Sequence, residues 1–245
     1  MELPYTAIPP ILPPLRPWSK NTSNRCEFDD IPAIWETCDV ITFLVDLGTY
    51  HPPVSMILDR KEKKREHAFK TEYFKERFTL SRSIIKKILQ PLIKAKTPSD
   101  VHLDRENRGR ITIQNRSDIS ISLSYSGSFI ALTVGKRKTG SDIEMVRPLD
   151  MRKNRSCSLF DNSEFSNDTD STRCFLQQWT MVEAYSKLRD MNLYPLLKER
   201  FILTDVHFLS YLIDQNSVLA LASDTHIPRN SLLWIDPKNG GLFNR

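Results

Sequence analysis

Two acidic side chains stand one residue apart in Gly140-Ser-Asp-Ile-Glu144, so on a strand Asp142 and Glu144 project to the same face. Carboxylates this close repel each other unless a cation lies between them. Their hard oxygens suit Mg²⁺, which completes its shell from water and substrate phosphates. A second pair lies in Trp179-Thr-Met-Val-Glu-Ala-Tyr-Ser-Lys187, where Glu183 and Lys187 are one helical turn apart and share a face. Taken singly, the first motif is better read as a solvated acidic strand, and the second as a helical ion pair worth about 0.2–0.5 kcal/mol.

The elements that must position these residues are short. Ile119, Ile121 and Leu123 alternate with Ser120, Ser122 and Ser124, which predicts a strand; Ser126-Gly127 turns, and Phe129 to Val134 returns. A further strand is expected over Ser141 to Met145, and a helix over Arg173 to Arg189 with Phe175, Trp179 and Val182 on one side. Upstream, Val40 to Asp46 reads as the first ordered strand. Leu58 to Leu92 reads as two helices, the second ending near Pro91 with Ile84, Ile85, Ile88 and Leu89 at helical spacing. Residues 150–172, rich in Ser, Asn and Asp, read as a loop, and Phe201 to Leu209 with Val218 to Ala222 as a closing hairpin. The first forty residues, with Pro9, Pro10, Pro13 and Pro14, predict an extended arm laid on the surface.

A chain of 245 residues, 40% hydrophobic and 27% charged, has room for a sizeable core. No apolar run has the length of a membrane span, and the N-terminus lacks the pattern of a signal peptide, so a cytoplasmic protein is expected. Cys26, Cys38, Cys157 and Cys174 form no C-x-x-C pair and have no histidine at zinc-ligand spacing; they are read as reduced thiols. The five histidines are scattered, and with seven glycines there is no Gly-rich phosphate loop. A net charge of +5 suits an acidic partner or a phosphate-rich ligand. The basic run from Arg60 to Arg65 admits a nucleic-acid module, but Glu62 interrupts it and no nucleic-acid-binding signature accompanies it.

The order Ser-Leu-Ser-Tyr-Ser-Gly (122–127), Gly-Ser-Asp-Ile-Glu (140–144) and Trp-Thr-x-x-Glu-Ala-x-x-Lys (179–187) resembles the 4′-phosphopantetheinyl transferase superfamily, and in length and layout its Sfp type. The resemblance runs from about Ile57 to Ala222 and is specific through the three blocks together. It implies an α+β fold of two similar halves, each a helix on a small antiparallel sheet, with coenzyme A and Mg²⁺ in the cleft between them. Residues 1–40 would form the arm, 41–136 the first half and 137–245 the second, joined near Val134 to Lys138. Asp142, Glu144 and Glu183 match the family's Mg²⁺ ligands, with Glu183 also a candidate general base. Lys187 matches the lysine on the cofactor pyrophosphate. Arg82 matches a helix arginine, Gly109-Arg110 a segment near the nucleotide, and Ser124, Tyr125 and Ser126 the Ser-His-Ser segment beside the phosphoadenosine. The implied partner is an apo acyl or peptidyl carrier domain of a peptide or polyketide synthetase, contacted through residues 150–172, and the implied state is a monomer. No nucleic acid or membrane partner is implied.

Two residues depart from the family pattern. Tyr125 stands for the histidine of Ser-His-Ser and carries no positive charge at neutral pH, so weaker coenzyme A binding is expected. Val182 stands for a lysine that commonly precedes the glutamate. These departures motivate the alternative of a catalytically silent relative that binds carriers or coenzyme A.

Overall fold

The computed structural model describes residues 13–48, 57–106, 109–148, 169–198 and 205–236. The chain is α+β. Ten strands are described: β1 (Leu15–Trp18), β2 (Val40–Asp46), β3 (Leu103–Arg105), β4 (Ile111–Ile113), β5 (Ser120–Ser126), β6 (Phe129–Gly135), β7 (Thr139–Met145), β8 (His207–Ile213), β9 (Ser217–Ser223) and β10 (Leu232–Ile235). The described helices are α1 (Ile31–Thr37), α2 (Arg60–His67), α3 (Glu72–Leu92), α4 (Thr169–Arg189) and α5 (Leu193–Lys198).

The strands form two four-stranded sheets, ordered β10-β2-β6-β5 and β1-β8-β9-β7, plus the small β3-β4 ribbon. The two large sheets lie face to face. Val40, Leu44 and Ala131 of one meet Ile143, Tyr211, Ile213, Leu219 and Leu221 of the other. The outer face of the first sheet, with Ile41, Phe43, Val45 and Ile121, packs on Ile84, Ile85, Ile88 and Leu89 of α3. The outer face of the second packs on α4 through Phe175, Leu176, Met181, Ala184 and Leu188. Each fully buried Leu, Ile or Phe in these layers contributes about 1.5–3 kcal/mol. β2 is covered on both faces, which is why Val-Ile-Thr-Phe-Leu-Val is apolar nearly without interruption. Its one polar side chain, Thr42, hydrogen-bonds Thr133 of β6 at 2.9 Å.

α2 begins at a capping box. Asp59 accepts from the Glu62 N–H at 2.9 Å, and Glu62 returns to the Asp59 N–H at 3.0 Å. Lys86 of α3, fully buried, ties the two helices together by pairing with Glu62 at 2.6 Å.

Several expectations are corrected. The sheets are mixed, because β1 joins β8 and β10 joins β2 in parallel. Order begins well before Val40. β1 avoids the proline problem by being an edge strand, and α1 places Pro32 in its first turn, where no intrahelical N–H is lost. α4 starts at Thr169, inside the segment read as a loop, and residues 149–168, with most of the expected carrier contact, lie outside the described residues. The first strand of the closing hairpin is His207–Ile213, later in the chain than expected. Cys26, Cys38 and Cys174 are free thiols; Cys157 lies outside the described residues. Among the described residues no helix is long and apolar enough to cross a membrane.

Candidate active site

β5 and β7 are the last strands of their sheets, and their facing edges make the seam between the two sheets. An open edge leaves backbone N–H groups without acceptors. Here every second residue of β5 supplies one. The hydroxyls of Ser120, Ser122, Ser124 and Ser126 accept from the N–H groups of Thr139, Ser141, Ile143 and Met145, at 3.2, 2.8, 3.3 and 2.8 Å. The two-residue turn that aligns β5 with β6 needs Gly127, whose φ is +57°.

Two of these serines also donate to the acids. Ser124 reaches Asp142 Oδ1 at 2.7 Å, and Ser126 reaches Glu144 Oε2 at 3.4 Å. Asp142 and Glu144 therefore share the face of β7 that alternation predicts, and each has one oxygen held from below. α4 crosses β7 closely at Gly140, where an added Cβ would fall 1.9 Å from the Ala184 carbonyl oxygen. That approach brings the Lys187 ammonium to 2.7 Å from Asp142 Oδ1 and 3.0 Å from the Ser141 carbonyl. Glu183, one turn earlier on α4, adds its carboxyl to the cluster.

The electrostatics follow from this crowding. Burial first, then the Asp142 charge and contact with its carboxyl, pushes Glu183 up to about 7, with Lys187 working in the other direction. Burial and Asp142 also raise Glu144. Asp142 Oδ2 is buried with no hydrogen-bond donor, and an ionised Glu183 cannot supply one. Three carboxyls thus face one ammonium. Among the described residues no group of three or more His, Cys, Asp or Glu side chains is placed to hold a metal ion. In chemistry alone, Asp142, Glu144 and Glu183 offer oxygens of the kind that Mg²⁺ takes, one or two carboxylates with phosphate and water filling its shell.

Beside the acids opens a cleft of about 230 Å³, lined among others by Arg105, Gly109, Arg110, Tyr125 and Lys187. Arg110 braces it by donating to the Lys187 carbonyl at 3.3 Å and the Ser120 hydroxyl at 2.7 Å. The sequence-derived residues Gly109, Arg110, Tyr125 and Lys187 thus share one wall. Ser124 and Ser126 lie instead beneath the acids, in the seam. Arg82 is buried under the Phe78 ring at 5.2 Å, its Nε without a partner, and its charge acts on Arg105.

Sequence reasoning missed the rest of a cationic cluster at this mouth. Burial, then the charges of Arg65 and Arg82, depress Arg105. Arg77 lies over the Tyr125 ring at 5.9 Å, and the Tyr125 hydroxyl meets Ser81 at 3.4 Å. Among the described residues none of Arg65, Arg77, Arg82 and Arg105 pairs with a carboxylate, as an anion-binding mouth requires. The one signal available was Arg82 itself, a cation set within the buried run Leu80 to Ile85. Beyond Arg110 a wider groove of about 850 Å³ is lined by Arg116, Lys136, Arg137 and Lys138 as well as Glu106 and Asp190. The chain matches no protein-family model and no curated protein sequence.

Proposed function

We propose that this chain is a 4′-phosphopantetheinyl transferase of the Sfp type, moving the phosphopantetheine arm of coenzyme A onto a serine of an acyl or peptidyl carrier domain. The observation that supports it is the meeting of Asp142, Glu144, Glu183 and Lys187 across the β7–α4 contact, beside a cleft walled by Gly109, Arg110 and Tyr125. In this reading the two sheets with their outer helices are the family's two similar halves, related by a pseudo-twofold, and the cleft between them takes coenzyme A. The protein acts as a cytoplasmic monomer.

The reaction forms a bond from the carrier serine Oγ to the β-phosphorus of coenzyme A and breaks the bond from that phosphorus to the bridging oxygen. The bond electrons leave with 3′,5′-ADP. Asp142, Glu144 and Glu183 would be the residues to hold Mg²⁺, which would supply neutralising charge for the pyrophosphate. Lys187 donates to the pyrophosphate from one side, held in place by Asp142 and the Ser141 carbonyl. Glu183, raised to about 7, is matched to accept the serine proton near neutral pH. The arginines at Tyr125 would supply positive charge where the family's histidine is missing and so offset in part the weaker cofactor binding expected from Tyr125. The groove of Arg116, Lys136, Arg137 and Lys138 suits an acidic carrier surface.

The test is intact-protein mass spectrometry of apo acyl and peptidyl carriers incubated with the enzyme, coenzyme A and Mg²⁺. A mass gain of one phosphopantetheine is expected, absent with Asp142→Ala and with carriers lacking the serine. No gain on any carrier, with coenzyme A still bound in calorimetry, would replace this reading by that of a silent binding relative. That second reading has one observation in its favour: Val182 is buried, leaving no cation at the position before Glu183.

A further inference from the structure

The serine seam does more than close an edge, and its Ser122 rung has a task of its own. We propose that Ser122 is a positioning residue for the Lys187 ammonium, acting through the Ser141 peptide that both of them grip. What Lys187 binds rests on the transferase reading; the geometry does not.

A lysine ammonium has three N–H donors and sets their directions only as far as its acceptors do. Among the described residues Lys187 uses two, on Asp142 Oδ1 at 2.7 Å and on the Ser141 carbonyl at 3.0 Å, leaving one for the cleft that it lines. The Asp142 acceptor is fixed by Ser124. The Ser141 acceptor is a backbone carbonyl, and its direction is set by the tilt of that residue's backbone. Ser122 holds both ends of it. Its hydroxyl accepts the Ser141 N–H at 2.8 Å and points its own proton toward the Ser141 carbonyl at 3.5 Å. The Ser141 hydroxyl does not share that task, since it is buried without a hydrogen-bond partner. Ser122 lines the same cleft from the β5 side, so its rung borders the space that Lys187 faces. Ser124 and Ser126 hold acids, and Ser120 holds Arg110; Ser122 is the one of the four that grips the Ser141 backbone, the second acceptor of the lysine.

Two measurements on the full chain test this. The first is the ¹⁵Nζ resonance of Lys187 in ligand-free protein, assigned by its loss in Lys187→Arg. It is expected to move or broaden in Ser122→Ala, to return in Ser122→Thr, which keeps the hydroxyl, and to stay put in Tyr211→Phe. The last deletes a hydroxyl that donates to the Arg229 carbonyl at 3.0 Å from β8, a strand that β9 separates from β7, and controls for lost stability. The second is coenzyme A affinity by calorimetry with Mg²⁺, expected to weaken about tenfold in Ser122→Ala, the size of one charge-assisted hydrogen bond, and to recover with Thr. An unmoved resonance overturns the proposal, as does unchanged affinity in Ser122→Ala when the wild type binds. A wild type that binds no coenzyme A removes the transferase reading and leaves the resonance to decide.

Discussion

Gly140→Ala separates the role of the β7–α4 contact from everything else in the site. Gly140 has ordinary strand geometry, so alanine is not strained by its backbone, and by chain entropy alone it would stabilise by about 0.4–1 kcal/mol. The obstacle is steric. The new Cβ would sit 1.9 Å from the Ala184 carbonyl oxygen and 2.7 Å from the Leu188 N, both backbone atoms of α4. Ordinary contact begins near 3.4 Å, so the helix must retreat by about 1.5 Å. Overpacking of this kind costs about 1–3 kcal/mol, which for a chain of this size lowers Tm by about 2–12 °C. The same retreat carries Lys187 away from Asp142, opening their 2.7 Å contact toward 4 Å, beyond hydrogen-bond reach. Displacements of about 1 Å in a catalytic group cost on the order of a hundredfold in rate. Urea unfolding and carrier modification measured on the same preparation should show both losses, the second far larger than the modest destabilisation explains. A variant as stable as the parent, with modification unchanged, would refute the close helix–strand approach on which the site depends.

Two further outcomes are expected. Lys86→Met leaves Glu62 buried and unpaired and should cost about 3–5 kcal/mol in urea unfolding, whereas Lys86→Met with Glu62→Gln should recover most of it. Burial alone would raise Asp46, but hydrogen bonds from Lys20 at 2.7 Å, Ser128 at 2.6 Å and the Gly48 N–H outweigh it and hold the carboxyl below its usual value near 3.8. A depressed folded value gives stability that is present above the unfolded pKa and lost as pH falls through the folded one. Asp46→Asn should therefore be less stable than the parent at pH 7, with the difference closing below the usual aspartate value in a pH series of urea melts.

The grouping of the acids and the lysine was legible in part because its two spacings are the periods of the elements that carry it. Asp142 and Glu144 are two apart on a strand, and Glu183 and Lys187 are four apart on a helix. That the strand and helix touch was not legible from spacing, since it depends on Gly140 meeting Ala184 across 44 positions. The alternating serines announced β5 but not their task, because a hydroxyl facing solvent and one closing a sheet edge have the same period. The arginine cluster was hidden for a similar reason. Arg65 and Arg77 sit among helical charges that read as a wet face, and only packing against Phe78 and Tyr125 tells them apart. β1 and α1 were masked by prolines in positions where proline does no harm. The parallel pairings of β1 with β8 and of β10 with β2 join segments nearly 200 residues apart, a distance at which local pattern carries no information.

Those two pairings also set an order of events at the ribosome. β2 is made early, yet the strand that covers its outer edge, Leu232–Ile235, is among the later segments to be synthesised. Until it emerges, Thr42 to Val45 present an unpaired, apolar strand edge to water or to a chaperone. β1 waits in the same way for β8, so neither sheet can finish while most of the chain is still being translated. A nascent chain stalled before residue 232 should therefore be markedly more sensitive to protease than one released a few residues later.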